Sequence, residues 1–336
     1  MQQPTYLEIA AQAVQARARI RNHIYETPLI PSRTNSEAAG SSKLLFKAEN
    51  FQLTGSFKIR GAMAKMSAVA AQNAITTSSS SSSSSSAARL VTASSGNHGI
   101  GAALAAKLLH QDLTVVLPET VVPSKLRQIQ SHGARVVVHG AETGLAEQHA
   151  QRLDGHTYVS PYNDADVIAG QASVALEMLE QCVGGGVDNV FVALGGGGLV
   201  SGIGAVCKAF SPRTKVYGVA AANSMALALS MRARRIVETD HLPTLADAVA
   251  GGIDPDAITL PLALAVVDDV VVCQEADIAA AMRSLAFGEN MVVEGAAALA
   301  FAGYLSLQDR LLGQTSVVVL CGANYDQAVM ARTLHG

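Results

Sequence analysis

The chain has 336 residues, 49% of them hydrophobic and 15% charged, with a formal net charge of −3. That length can bury one large or two medium cores, and the slight negative balance excludes an electrostatic case for nucleic acid or an anionic membrane as partner. Aromatic residues are 4% and Trp is absent, so small aliphatic side chains must fill the interior, as an α/β protein requires.

From the N-terminus, the stretch to Arg19 carries Glu8 and lacks the apolar core of a signal peptide. Leu7, Ala10, Ala11, Val14 and Ala18 have helical spacing over residues 7–21. Leu44 to Lys47 reads as a short strand, and 57–72 as a helix with Ser56 as its N-cap. The serine run Ser78 to Ser86 cannot bury apolar area and reads as a solvated, mobile connection.

A regular alternation follows. Strands are expected at 89–92, 113–117 and 134–138, with helices at 99–109, roughly 124–132 and roughly 144–153. It resumes with a helix near 168–181, a strand at 189–193, a helix from Leu199 and strands at 215–219 and 316–320. Such alternation implies parallel sheets wound by right-handed crossovers. The longest apolar run, Ala296 to Leu305, is far short of the roughly 20 residues that cross a bilayer. Cys182, Cys207, Cys273 and Cys321 show neither CxxC nor Cys/His metal spacing, which fits reduced thiols in a cytoplasm and no zinc site. The basic cluster Arg232 to Arg235 reads as a solvated helix face.

Three segments carry chemistry. In Asn50-Phe-Gln-Leu-Thr-Gly-Ser-Phe-Lys58-Ile-Arg-Gly-Ala62 a lysine opens a helix, where the dipole is positive, between apolar Phe57 and Ile59. Such a place lowers an amine pKa and favours a nucleophile, although most lysines are ordinary surface residues. Thr92-Ala-Ser-Ser95-Gly-Asn97-His98-Gly99 joins a strand to a helix; its amides suit a carboxylate, while alone it reads equally as a plain turn with a serine cap. Gly195 to Gly198, before Leu199, lets backbone wrap a phosphate at a helix N-terminus. The dinucleotide pattern fails there, because Ser201 stands where GxGxxG needs its last glycine, and no Walker lysine follows.

Together these segments resemble the serine/threonine dehydratase (ammonia-lyase) family of fold type II pyridoxal-phosphate enzymes, which includes serine racemase. The resemblance extends to Val167-Ile-Ala-Gly-Gln171 and Cys321-Gly-Ala-Asn324. It implies two open α/β domains with parallel sheets, in the tryptophan synthase β-like architecture, with the active site in the cleft between them. The expected division is a large domain of residues 1–88 and 164–336 and a small domain of residues 89–163.

The resemblance implies pyridoxal 5'-phosphate as cofactor, with Lys58 holding it covalently and Phe57 packing near its ring. It also implies that Asn97 meets the ring's 3-oxygen, that Gly195, Gly196, Gly197, Gly198 and Leu199 bind the phosphate, and that Glu294 and Cys321 lie against the ring. Ser94, Ser95, Gly96, Asn97 and His98 would line the substrate carboxylate site, with Lys58 and Ser95 catalytic. The partner implied is a small amino-acid substrate in a cytoplasmic homodimer.

Several positions depart from the family's pattern. Cys321 stands where a serine hydroxyl usually meets the pyridine nitrogen, and a thiol is a weak donor. Gly218 to Ala226 holds no carboxylate, so the divalent-cation site of metal-activated members is expected to be missing, with no metal ligand assigned. Ala248 replaces a common glycine. The chain stops shortly after the last strand motif, so no C-terminal regulatory domain is expected.

The expected reaction is dehydration of a β-hydroxy-α-amino acid such as L-threonine or L-serine to a 2-oxo acid and ammonia. A racemase with Ser95 as second acid/base, a dehydratase of a bulky substrate such as phenylserine, and a non-catalytic phosphate-ligand binding protein remain alternatives. No arginine lies between Val136 and Gln151, which disfavours a second substrate carboxylate, while Tyr162 and Ala248 leave an unusual or bulky β-substituent open.

Overall fold

The computed structural model describes residues 3–34, 43–79, 89–182 and 185–335. In chain order its elements are α1 (Tyr6–Ile20), β1 (Leu29–Pro31), β2 (Lys43–Lys47), α2 (Lys58–Ser79), β3 (Arg89–Ala93) and α3 (Asn97–Leu108). Next come β4 (Leu113–Leu117), α4 (Pro123–Ser131), β5 (Arg135–Val138), α5 (Thr143–Gln151), β6 (His156–Tyr158) and α6 (Ala165–Gln181). The second half holds β7 (Asn189–Ala193), α7 (Gly198–Phe210), β8 (Lys215–Ala221), α8 (Ala226–Ala233), α9 (Thr259–Val266) and β9 (Asp269–Cys273). It closes with α10 (Glu275–Phe287), α11 (Gly295–Leu307), β10 (Thr315–Val319) and α12 (Gln327–His335).

The strands form a six-stranded sheet in the order β1-β2-β10-β7-β8-β9 and a four-stranded sheet in the order β5-β4-β3-β6. Every pairing is parallel except β1 with β2. Runs such as Leu-Thr-Val-Val-Leu in β4 and Asn-Val-Phe-Val-Ala in β7 are buried throughout, because helices cover both faces of such a sheet. In α11 the sequence Gly-Ala-Ala-Ala-Leu-Ala-Phe-Ala-Gly-Tyr is buried on all sides, which small side chains make possible.

Two differences from the sequence reading concern α2. Ser56 does not cap it: its hydroxyl is buried without a hydrogen-bond partner, and its backbone bridges to Gly322. The helix also continues through Thr76 and Thr77 to Ser79, so the first two serines of the run are helical; the rest of the expected mobile connection lies outside the described residues.

The helix start is anchored by charge. Fully buried Arg60 donates to Glu49 at 2.7 and 2.9 Å and to Glu177 at 2.6 and 2.8 Å. Lys47 joins Glu177 at 2.7 Å and Thr27 O at 2.6 Å. Removing one partner from such a buried set costs about 3–5 kcal/mol. Meanwhile Ile59, Ala62, Met63 and Met66 of α2 pack into one core with β3, β4 and α3. One helix therefore packs into the four-stranded sheet's core and is tied by ion pairs to Glu49 after β2 and Glu177 of α6, with Lys58 at its tip.

Candidate active site

The site forms where the C-terminal ends of the two sheets meet. Lys58 is the first residue of α2, and its Nζ donates to the carbonyl of Pro161, just beyond β6, at 2.8 Å. The Nζ lies 5.3 Å from the centroid of the Phe57 ring. Part of the side chain is open to the cleft, yet protein crowds the amine. Desolvation pulls its pKa down to about 8, with Cys321 and Glu294 opposing the shift. The lowered pKa expected from the helix start and its apolar neighbours is present, with desolvation as the largest cause.

The turn from β7 into α7 is a cradle built by exclusion. A Cβ on Gly196 would lie 2.7 Å from the Tyr162 ring, and one on Gly195 3.0 Å from Val249. Gly197 has φ +90°, and a Cβ there would also meet Leu227 at 2.6 Å and Thr259 at 2.9 Å. The first helical bond after the turn runs from Ser201 N–H to Gly197 O at 2.9 Å, so the amides of Gly198, Leu199 and Val200 precede the helix's own bonding. Leu199 is buried and offers the cleft its amide.

On the other side, α3 starts at Asn97. Its Nδ2 donates to both Glu294 oxygens, at 2.9 and 3.1 Å, and its Oδ1 accepts from Asn324 Nδ2 at 2.7 Å. Asn324 N–H closes the ring on Glu294 at 3.0 Å, while its Nδ2 also reaches Thr54 O at 2.7 Å. Burial pushes the Glu294 carboxyl up to about 7 against these hydrogen bonds. Cys321 is buried beside Lys58 and Glu294, and burial drives its thiol well above the ordinary value, so it stays neutral.

Within the Ser94–His98 turn, Gly96 N–H donates to Ser94 Oγ at 3.2 Å, and the half-buried Ser95 keeps its hydroxyl unengaged among the described residues. The His98 imidazole turns away into the core. Its Nε2 lies 3.0 Å from Thr92 Oγ1 and 3.0 Å from Val159 O. Burial pulls its pKa down to about 3, so it is neutral, and only its backbone amide is available to a carboxylate.

Several participants were not singled out by sequence reasoning. Pro161 supplies the carbonyl that holds Lys58, which no motif encodes. Asn324 stood in the quoted closing motif without a role. Thr259 Oγ1 is buried without a partner beside Gly197. Tyr162 backs the glycine turn, its hydroxyl accepting from Asp254 N–H at 2.7 Å. After β8, Asn223 donates to Pro243 O at 2.6 Å, and Ser224 Oγ meets His241 Nδ1 at 2.9 Å and Gly251 N–H at 3.1 Å.

These residues fit pyridoxal phosphate. The glycine cradle, with its unclaimed amides and the orphan Thr259 hydroxyl, suits a phosphate. The crowded Lys58 amine, which gives up its proton more readily than an ordinary lysine, suits attack on an aldehyde. The Asn97–Glu294 pair offers polar groups between the two.

A family model described as "Pyridoxal-phosphate dependent enzyme" matches residues 20–322. The chain is 34% identical over 324 residues to an L-threonine ammonia-lyase of Thermotoga maritima, covering 96% of this chain and 77% of that protein. Among solved structures, threonine deaminase isoform 2 of Solanum lycopersicum superposes with TM-score 0.85 at 27% identity, over 98% of this chain and 93% of that one. Maize serine racemase superposes with TM-score 0.83 at 28% identity, over 97% and 96%.

Proposed function

The chain belongs to the family of pyridoxal-phosphate-dependent enzymes, and on that premise we propose that it is an ammonia-lyase converting L-threonine or L-serine to a 2-oxo acid and ammonia. The observation that carries this reading is the Lys58 amine, lowered to about 8 and held on Pro161 O, at the point where the glycine cradle and the Asn97–Glu294–Asn324 ring converge. The threonine ammonia-lyase and threonine deaminase among its relatives support the choice of reaction.

When bound, pyridoxal phosphate supplies the electron sink that acidifies the substrate's α-C–H bond. Lys58 would hold the cofactor between turnovers, and its Nζ, when free, would remove the α-proton. The amides of Asn97, His98 and Gly99 at the start of α3 hold the substrate carboxylate. Ser95 passes a proton to the departing β-hydroxyl and regains one, directly or through solvent, from the protonated Lys58 Nζ, so that water leaves and the lysine amine is restored. The released enamine gains a proton and hydrolyses in water, giving the 2-oxo acid and ammonium.

Glu294 fixes the Asn97 amide, which would then meet the ring of a bound cofactor. Cys321 would offer a bound cofactor a neutral, weak hydrogen-bond partner. We place the working enzyme in the cytoplasm as a homodimer; among the described residues no helix is long and apolar enough to cross a membrane.

The test is the absorption spectrum and product analysis with L-threonine and L-serine. A cofactor band that shifts on adding substrate, with 2-oxobutanoate or pyruvate accumulating, is expected. Lys58→Ala should lose the protein-bound cofactor signal and about 10³-fold or more in turnover; wild-type turnover in that variant would overturn the assignment. The likeness to maize serine racemase favours racemisation as a second reading. Chiral analysis of recovered serine separates the two, since a dehydratase leaves only the L-enantiomer.

A further inference from the structure

At the opposite edge of the four-stranded sheet, where its strands begin, the surface closes into a cavity of about 220 Å³. Arg89, Lys107 and Arg135 stand on its walls, joined by His132 and His156, with Asp112 as the only lining acid. Arg89 opens β3 and Arg135 opens β5, with β4 between them. Two strand spacings put their backbones roughly 10 Å apart, a span that one small ligand can bridge.

The three permanent cations are accessible, and none has an ion pair or side-chain hydrogen bond among the described residues. Helix ends account for two of the basic groups, since Lys107 lies in the last turn of α3 and His132 ends α4, where carbonyls favour cations. Arg89 and Arg135 have no such partner, because strands carry little net dipole. Like charges gathered around one cavity repel, and a bound anion removes that cost.

Gln111 adds a second requirement. Its Nε2 donates to Met66 O at 3.1 Å, which fixes the amide, while its Oε1 is buried with no donor. A buried acceptor left unmade is costly, and this residue lines the same cavity. The ligand that satisfies both requirements is anionic and also carries a hydrogen-bond donor.

We propose that this cavity binds a phosphate group, free or carried by a small hydroxylated metabolite, with Arg89, Lys107 and Arg135 on its oxygens and Gln111 accepting from a hydroxyl. The site is separate from the glycine cradle, which lies beyond the other end of the strands. β3 connects the two regions, with Arg89 at one end and Ser94 following the other.

The test is calorimetric titration of the cofactor-loaded enzyme, in which the glycine cradle is filled, with inorganic phosphate and separately with glycerol 3-phosphate at constant ionic strength. One saturable site is expected. Arg89→Gln and Arg135→Gln should each weaken it at least roughly tenfold while leaving the cofactor spectrum and turnover intact. Tighter binding of glycerol 3-phosphate identifies a carried phosphate, and equal binding identifies the free ion. Where an arginine variant fails to fold, Lys107→Gln, on an exposed position, makes the same test. No saturable binding to the loaded enzyme overturns the proposal, as does wild-type affinity in a spectrally normal Arg89→Gln/Arg135→Gln or Lys107→Gln variant.

Discussion

The turn from β7 into α7 and the turn from β3 into α3 have the same backbone task and opposite side-chain content. Both present helix amides at the end of a parallel strand. Gly195 to Gly198 does so with no side chains at all, pressed against Tyr162, Val249, Leu227 and Thr259. Ser94 to His98 carries two hydroxyls, an amide and an imidazole, and its residues from Ser94 to Asn97 are only half-buried. The difference teaches how one site divides its work. A permanent ligand is held by close, rigid backbone, where added atoms have nowhere to go. On the proposed function, a transient substrate meets the half-buried polar residues of the other turn.

That division is open to direct attack, beginning with the glycine turn. Gly197→Val should abolish cofactor retention and destabilise the protein by about 2–5 kcal/mol, through backbone strain at φ +90° and the encroachment on Leu227 and Thr259. Cofactor absorbance after gel filtration, with thermal unfolding, reads both effects. A valine variant that keeps a full complement of cofactor would break the comparison.

Ser95→Ala, in the other turn, should keep the cofactor spectrum and lose about 10²–10⁴-fold in kcat. Loss of the spectrum as well would mean that the two turns are not separable. Between them, Glu294→Gln probes the link through Asn97. The Glu294 carboxyl holds its proton to about pH 7 in the fold against an ordinary 4.5, so the folded state binds more protons across that interval. Its contribution to stability is full below about 4.5 and is lost as pH rises through 7. The glutamine variant of the cofactor-free protein should show a flatter melting temperature between those limits; an unchanged slope would place the titrating group elsewhere. The smallest effect belongs to Ser94→Ala, which removes one local hydrogen bond, from Gly96 N–H, and should cost about 0.5–1.5 kcal/mol. That loss should appear as a raised KM for substrate with cofactor affinity unchanged.

Much of the fold was legible because strand and helix periods are local properties. The strands expected at 113–117 and 189–193 agree with β4 and β7 to the residue, since uninterrupted Val/Leu/Phe runs between turn residues leave little choice. The end of α2 was misplaced because Thr and Ser have weak helix propensity, yet the helix persists through Thr76 and Thr77 to Ser79. Ser56 was taken for a cap on residue type alone; its backbone is engaged with Gly322, a partner 266 positions away in the sequence numbering.

In the site, Lys58, Asn97, the four glycines, Glu294 and Cys321 were all readable from motifs. The destination of each side chain was not. His98 lies in the same motif as Asn97 yet faces the core, because successive residues at a helix start point in different directions.

By itself the sequence determined the alternation of strands and helices, the lysine at a helix start, the glycine turn and the resemblance to an enzyme family, since each is written in residues close together along the chain. Only the tertiary structure decided that Pro161 holds the Lys58 amine, that Tyr162 backs the glycine cradle, and that Arg89, Lys107 and Arg135 share a cavity. Those relations join residues from different elements through packing, burial and sheet order, and no local pattern of amino acids encodes the distance between them.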